Sequence, residues 1–166
     1  MLRPVSMDDA EDIFREFTPE ITRYMVPTSP DDIQQIRLFI DLSNKGMTNK
    51  EDLVLSITRT SNEEFLGVCG LHGKKSPDTP ELGIWLKKSA HGESLGREAI
   101  TNLAAWAQSN LSYNYLLYPV DRDNIASRKI AEHLGGEIFH EKTRKSMSGK
   151  VLNEIAYKIT WLDGTH

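Results

Sequence analysis

The 166 residues carry a formal charge of -4, 39% hydrophobic and 27% charged residues, with 7 prolines and 11 glycines spread along the chain, the make-up of one globular domain and not of a low-complexity or fibrous protein. Lys and Arg are scattered apart from Lys142, Arg144 and Lys145, which excludes a nucleic-acid footprint. No apolar run reaches the roughly 18 residues of a membrane helix, the start MLRPVSMDDAED offers acids where a signal peptide needs an apolar stretch, and the single Cys69 excludes an internal disulfide, so a cytoplasmic protein without membrane contact is expected.

The segment PVSMDDAEDIFREF reads as a strand end and then a helix: Ser6 offers an N-cap, acids fill the first turn, and Ala10, Ile13, Phe14 and Phe17 recur at helical spacing. Ser29, Pro30 and Asp31 announce a second helix, DDIQQIRLFIDLSNKG, with Ile33, Ile36, Phe39 and Ile40 on one face and Gly46 as its stop. The period then changes. LVLSITRT alternates, EEFLGVCGLHG and ELGIWLKK are further apolar runs, and turn residues separate them, which predicts three consecutive antiparallel strands. LGREAITNLAAWAQSN puts Leu95, Ala99, Leu103 and Trp106 on one helical stripe, and YNYLLYPV supplies a strand, so this helix is a crossover. DNIASRKIAEHLGG is a helix capped by Asp123 or Asn124 and ended by its glycine pair. EIFHEKTRKS and VLNEIAYKIT, joined by MSGK, form a hairpin. The order predicts a single domain over residues 1–166, a mixed sheet with helices packed against it.

One turn has the make-up of a phosphate site. WLKKSAHGESLGREA places a strand, a glycine-containing turn and a helix in that order, so free backbone N–H groups and a helix dipole face one point. It lacks the spacing of a dinucleotide loop and the ending of a Walker loop. Lys87 and Lys88 could add point charges, while Arg97 in the first helical turn is favourable only beside a bound anion.

Three segments carry a family resemblance. HGESLG, residues 91–96, stands where the GNAT superfamily has Gln or Arg, two variable residues, Gly, one variable residue, then Gly or Ala; His91 and Ser94 depart from that pattern and Gly96 fits it. A serine suits that centre where its backbone angles are ordinary. ELGIWL resembles the fourth strand of the RimJ/RimL-like branch, the ribosomal-protein N-terminal acetyltransferases. NIASRKIAEHLGG resembles that branch's next helix, with Asn124, Ala126, Ser127, Glu132, Leu134 and Gly135 in step. The resemblance covers about residues 1 to 160. It implies an α/β fold of mixed α+β type: a central, twisted, mostly antiparallel sheet of six to seven strands, flanked by about four helices and splayed between strands four and five. It implies acetyl-CoA as cosubstrate and a primary amine as acceptor, either a protein N-terminal alanine or serine or a small molecule such as a polyamine, amino acid or drug. The pantetheine arm would lie along Ile84, Trp85 and Leu86 with help from Asn124, and the pyrophosphate would rest on His91, Gly92, Glu93, Ser94, Leu95, Gly96 and Arg97. The first two helices, their connection and the late hairpin would wall the amine channel. A CoA-binding regulatory protein without turnover is the alternative, motivated by His91, Ser94 and Ala131, the last standing where the wider superfamily often has a proton-donating tyrosine.

The chemistry asks for a base, because an amine must lose a proton before it attacks a thioester, and for a donor to the departing thiolate. Glu81 is the first candidate base, directly or through water, or else a carboxylate that only fixes substrate. Ser127, one helical turn after Asn124, could donate to the CoA sulfur or bond only to the preceding helical carbonyl. Tyr113, Tyr115 and Tyr118 are alternative acids. His72 and His91 could each serve as a base near neutral pH or simply as a polar cap on a turn; the cap suits His72 better, and His91 could approach phosphate. Cys69, Trp85 and Trp106 read as packing residues. No metal is expected, since no compact ligand constellation occurs and amide formation from a thioester needs none. A homodimer through a sheet edge or the hairpin stays open.

Overall fold

The computed structural model describes residues 1–160; Trp161, which periodicity leaves unplaced, lies outside the described residues. In chain order the elements are β1 (Leu2–Pro4), a 3-10 turn at Met7–Asp9, α1 (Ala10–Glu16), α2 (Ile33–Thr48), β2 (Asp52–Thr58), β3 (Phe65–His72), β4 (Glu81–Leu86), α3 (Leu95–Asn110), β5 (Leu116–Asp121), α4 (Ile125–His133), β6 (Glu137–Lys145) and β7 (Val151–Ile159). The seven strands make one sheet in the order β1-β2-β3-β4-β5-β7-β6. Every neighbouring pair is antiparallel except β4 and β5, which are parallel because α3 carries the chain across.

Two apolar layers sandwich the sheet. α3 and α4 cover one face over Leu66, Leu82, Leu116, Tyr118, Ile155 and Tyr157. α1 and α2 cover the other over Val54, Phe65 and Val68, with Phe17 and Trp85 at the edge of that layer. Burial on both faces explains why the β3 run FLGVCGL is apolar throughout and does not alternate.

Three expectations need correction. Gly46 does not stop α2, which runs on to Thr48. A Cβ at Gly46 would sit 3.4 Å from the Asp52 Cβ, so the glycine lets the helix lie close to β2, and this packing overrides its stop signal. The cap of α2 is Asp32, whose carboxylate accepts the Gln34 N–H at 2.8 Å. Trp106 is not a core residue. The buried stripe of α3 is Gly96, Ala99, Ile100, Leu103, Ala104 and Ala107, and Trp106, at its edge, is 45% exposed. With Leu2, Leu53, Leu55 and Ile57 it lines a hollow of about 770 Å³ between α3 and the β1–β2 end of the sheet, which extends to Arg59 and to Leu95 at the start of α3.

Candidate active site

The parallel pair is joined at one end only. β4 and β5 share a single paired position, Glu81 with Leu117, reinforced by Leu117 N–H to the Pro80 carbonyl at 3.0 Å and Asn114 N–H to the Asp78 carbonyl at 2.8 Å. Beyond it β4 pairs only with β3, up to Leu86, and β5 pairs only with β7. The edge of β4 that faces β5 therefore presents unladdered backbone along Ile84, Trp85 and Leu86, the kind of edge on which an extended ligand can add as a strand.

The turn from His91 to Ser94, the candidate phosphate site, stands at the parted end. A Cβ at Gly96 would meet Ile130 Cδ1 at 3.2 Å, Leu86 Cδ1 at 3.4 Å and Ile84 Cδ1 at 3.5 Å, so the glycine brings the start of α3 onto both β4 and α4. Ser94, the N-cap residue, has φ 60° and ψ 15°. Its backbone angles are thus not ordinary: this is the left-handed region, which costs a side-chain-bearing residue roughly 1–2 kcal/mol. The serine thus holds a conformation that favours glycine. His91 turns back, its Nε2 lying 2.9 Å from the Leu86 carbonyl oxygen.

The cations near the turn are largely held by carboxylates. Lys87 Nζ donates to Glu64 at 2.7 Å, and Lys88 Nζ lies 3.0 Å from Glu20. Arg59 joins Glu64 at 2.9 Å to Glu93 of the turn at 3.3 Å. Hydrogen bonds from Lys87 and then Arg59 hold the Glu64 carboxyl below its ordinary range. Arg97 occupies the first turn of α3. Arg59 has no local signal; sheet pairing alone brings it to the turn.

α4 closes the site from one face. Asn124 is its cap, with Oδ1 accepting the Ser127 N–H at 3.3 Å. The Ser127 hydroxyl does not bond back along its helix but lies 2.8 Å from the Tyr118 hydroxyl on β5. Burial pushes Tyr118 up to about 12, so it remains a protonated hydroxyl at neutral pH. The other tyrosines are occupied differently. Tyr115 packs edge-on against Phe139 under Lys158, and the Tyr157 hydroxyl donates to Glu132 and accepts from Arg128. Ala131 is fully buried, leaving no hydroxyl at that position.

The opposite face offers a floor. One row of paired residues crosses the sheet as Asp52, His72, Glu81, Leu117 and Lys158. In the next row on this face Gly70 pairs with Gly83, and in the one after Val68 pairs with Trp85, whose ring packs on Phe17 at 4.8 Å and Phe65 at 5.9 Å. The α1–α2 connection and the β6–β7 turn meet above this face. Met147 N–H donates to the Val26 carbonyl at 2.8 Å, Lys150 Nζ donates to the Arg23 carbonyl at 3.2 Å, and Arg23 and Lys150 both lie over the Tyr24 ring. Of the nearby carboxylates, Asp121 accepts the N–H groups of Asp123 and Asn153, and Glu154 holds Arg144 and Lys142. Glu81 is exposed at the joined end. Cys69 lies in the core, where burial pushes its thiol up to about 12. Among the described residues no group of three or more His, Cys, Asp and Glu could hold a metal ion, and no helix is long and apolar enough to cross a membrane.

Comparison with known proteins agrees with this architecture. A family model described as the acetyltransferase (GNAT) domain matches residues 1–137. The chain is 27% identical over 139 residues to the uncharacterized N-acetyltransferase p20 of Bacillus licheniformis, across 80% of this chain and 76% of that one. Its fold is similar to that of a spermidine N-acetyltransferase from Vibrio cholerae solved with CoA and spermine, with a TM-score of 0.82, 14% identity, and 96% of this chain and 94% of that chain covered. It is equally similar to an acetyl transferase of Salmonella typhimurium that modifies the N-terminal serine of a 50S ribosomal subunit protein, with a TM-score of 0.84, 13% identity and the same coverage. With the family model matching most of the chain, and the mixed sheet parted between β4 and β5 as that family requires, the protein belongs to the GNAT acetyltransferases, enzymes that take their acetyl group from acetyl-CoA.

Proposed function

We propose that the protein acetylates the N-terminal amine of a cytoplasmic protein whose first residue is alanine or serine. The observation that carries the donor side is the single paired position between β4 and β5, which leaves the backbone of Ile84, Trp85 and Leu86 beside the start of α3. That edge suits a pantetheine arm, Asn124 flanks it, and the turn from His91 to Arg97 suits a pyrophosphate. The donor supplies an activated acyl carbon. Every other requirement falls on the chain. Ser127, with the Tyr118 hydroxyl behind it, supplies a proton to the leaving sulfur, and Glu81 at the mouth draws in the acceptor's ammonium. Arg23 and Lys150, 5.1 and 5.3 Å from the centre of the Tyr24 ring, oppose a polycation, whereas a peptide terminus brings one ammonium on an otherwise adaptable chain.

Calorimetric titration with acetyl-CoA, repeated on S94W, tests the donor side: saturable binding that the variant loses is expected. Mass spectrometry of peptides beginning with serine or alanine, beside spermine, tests the acceptor. A gain of one acetyl group on the peptides supports the proposal. Acetylation of spermine alone would replace the peptide with a polyamine, and tight binding without any transfer would leave a CoA-binding regulator.

A further inference from the structure

His72, which the sequence offers as a turn cap or a base, folds its ring back over Gly70 on the sheet face opposite α3 and α4. A Cβ at Gly70 would sit 2.7 Å from His72 Nε2, and one at Gly83 would sit 3.9 Å from the same atom. The imidazole can fold along the strand because Gly70 lacks a side chain, and its paired residue Gly83 lies within contact distance of the same nitrogen. Gly83 immediately precedes Ile84, where the unladdered edge of β4 begins. Nε2 thus reaches the row of Gly70 and Gly83, while Glu81 belongs to the row before it, exposed at the joined end of β4 and β5. The other ring nitrogen faces β2: Nδ1 lies 3.9 Å from Asp52 Oδ1. That oxygen is fixed by the N–H groups of Gly73 at 3.0 Å and Lys74 at 3.3 Å. The charged groups around the ring are Asp52 from β2 and Glu81 from β4, with Lys74 beyond and paired to Glu51.

We infer that His72 is the proton acceptor for the incoming amine, with Asp52 behind its ring and Glu81 beside it to draw the ammonium in. The inference rests on the acetyltransferase reading above. Neutral His72 Nε2 takes one proton from the ammonium and passes it to solvent. The freed lone pair forms the C–N bond to the acyl carbon as the C–S bond breaks. The nitrogen's second proton passes to solvent, while Ser127 gives its hydroxyl proton to sulfur and is reprotonated from solvent, so the products are an amide and a thiol.

The test compares wild type with H72A, H72Q, G70A and E81Q, using acetyl-CoA with a serine-initiated peptide and with spermine. In H72A, kcat is expected to fall about 100-fold while acetyl-CoA affinity stays unchanged, and added imidazole restores part of the rate. G70A, which displaces the ring without removing it, lowers kcat in the same direction. E81Q raises KM more than it lowers kcat and is not rescued by imidazole. The His72 ring resonances, identified by their loss in H72Q, shift when peptide is added to the CoA-bound protein. A kcat for H72A within about twofold of wild type, or a loss that imidazole does not relieve together with unmoved resonances, overturns the inference. If wild type binds acetyl-CoA but acetylates neither probe, the acceptor reading fails separately. The slow hydrolysis of acetyl-CoA by wild type and H72A then decides His72, and equal rates overturn its role.

Discussion

The hydroxyls of Tyr118 and Ser127, 2.8 Å apart, join β5 to α4 beside the opening between β4 and β5. Tyr118 is buried and Ser127 only half-buried, so the two ends of this bond are unequal. S127A leaves a buried phenol without its partner, at a cost of about 1–3 kcal/mol, whereas Y118F leaves a hydroxyl that water can reach and costs about 1 kcal/mol or less. Urea denaturation should therefore rank S127A below Y118F in stability. Both should lower kcat, S127A more, because only the serine would touch the leaving sulfur; equal and unchanged kcat values would confine the pair to a structural role.

Ser94 is held at φ 60° at the start of α3. In S94G the left-handed strain disappears, roughly 1–2 kcal/mol, while the freer unfolded chain takes back about 0.4–1 kcal/mol. A small net stabilisation is expected. The bare backbone also admits a closer pyrophosphate, so calorimetry should show tighter acetyl-CoA binding. Weaker binding by S94G would mean that the serine hydroxyl is itself a ligand.

Gly96 is a packing glycine, since its absent Cβ lies within 3.5 Å of Ile130, Leu86 and Ile84. G96V drives α3 away from β4 and α4 and should cost about 1–3 kcal/mol by overpacking. Because the same contact sets the turn against the β4 edge, acetyl-CoA affinity should fall along with the midpoint of thermal unfolding. A lower midpoint with intact affinity would separate the turn from the strand.

The order of elements was legible because each apolar run is long enough to show its period and is bounded by turn residues. HGESLG, ELGIWL and the helix after Asn124 likewise pointed to the parted strands. What the sequence hid depends on contacts between distant residues. Asp52, His72 and Glu81 lie in three separate runs, and only the β2-β3-β4 register sets them in one row. The use of Gly70 and Gly83 as a floor for an imidazole depends on the same register. Arg59 reaches Glu93 by the route of sheet pairing, and Trp106 misjudged its stripe because the hollow beside β1 and β2 leaves that side of α3 uncovered. The left-handed Ser94 is invisible to a propensity argument that favours glycine there.

Acid stability should depend on Asp9. Its carboxylate accepts a fork from Arg3 at 2.7 and 2.8 Å, the Ser6 N–H at 2.9 Å and the buried Ser56 hydroxyl at 2.7 Å. Burial alone would raise this carboxyl, but the bonds from Arg3, Ser6 and Ser56 outweigh it and hold it below the ordinary value of 3.8. The folded value is the lower one, so the stabilisation is present above the unfolded carboxyl's pKa and is lost as pH falls through the folded one. D9N should cost about 2–3 kcal/mol at neutral pH and flatten the acid limb of a stability-against-pH curve. An unchanged acid limb would assign that dependence to other carboxylates.

Alkaline behaviour separates a core thiol from a catalytic one at Cys69. Burial lifts the thiol from 9.0 to about 12, so the neutral form is the one that fits the fold. A raised folded value means that the stabilisation is complete below the unfolded thiol's pKa and is lost as pH climbs through the folded one. The native protein should therefore react with a thiol reagent on the order of a thousandfold or more slowly than the unfolded chain, and labelling should follow unfolding as urea is added. A C69A variant loses a small buried side chain, costs about 1–2 kcal/mol and keeps its kcat. Burst release of CoA before acetylated product in wild type, absent from C69A, would show an acyl-cysteine route instead; a steady release matching product from the first turnover is expected, because the thiol faces the core and the amine attacks the acyl carbon directly.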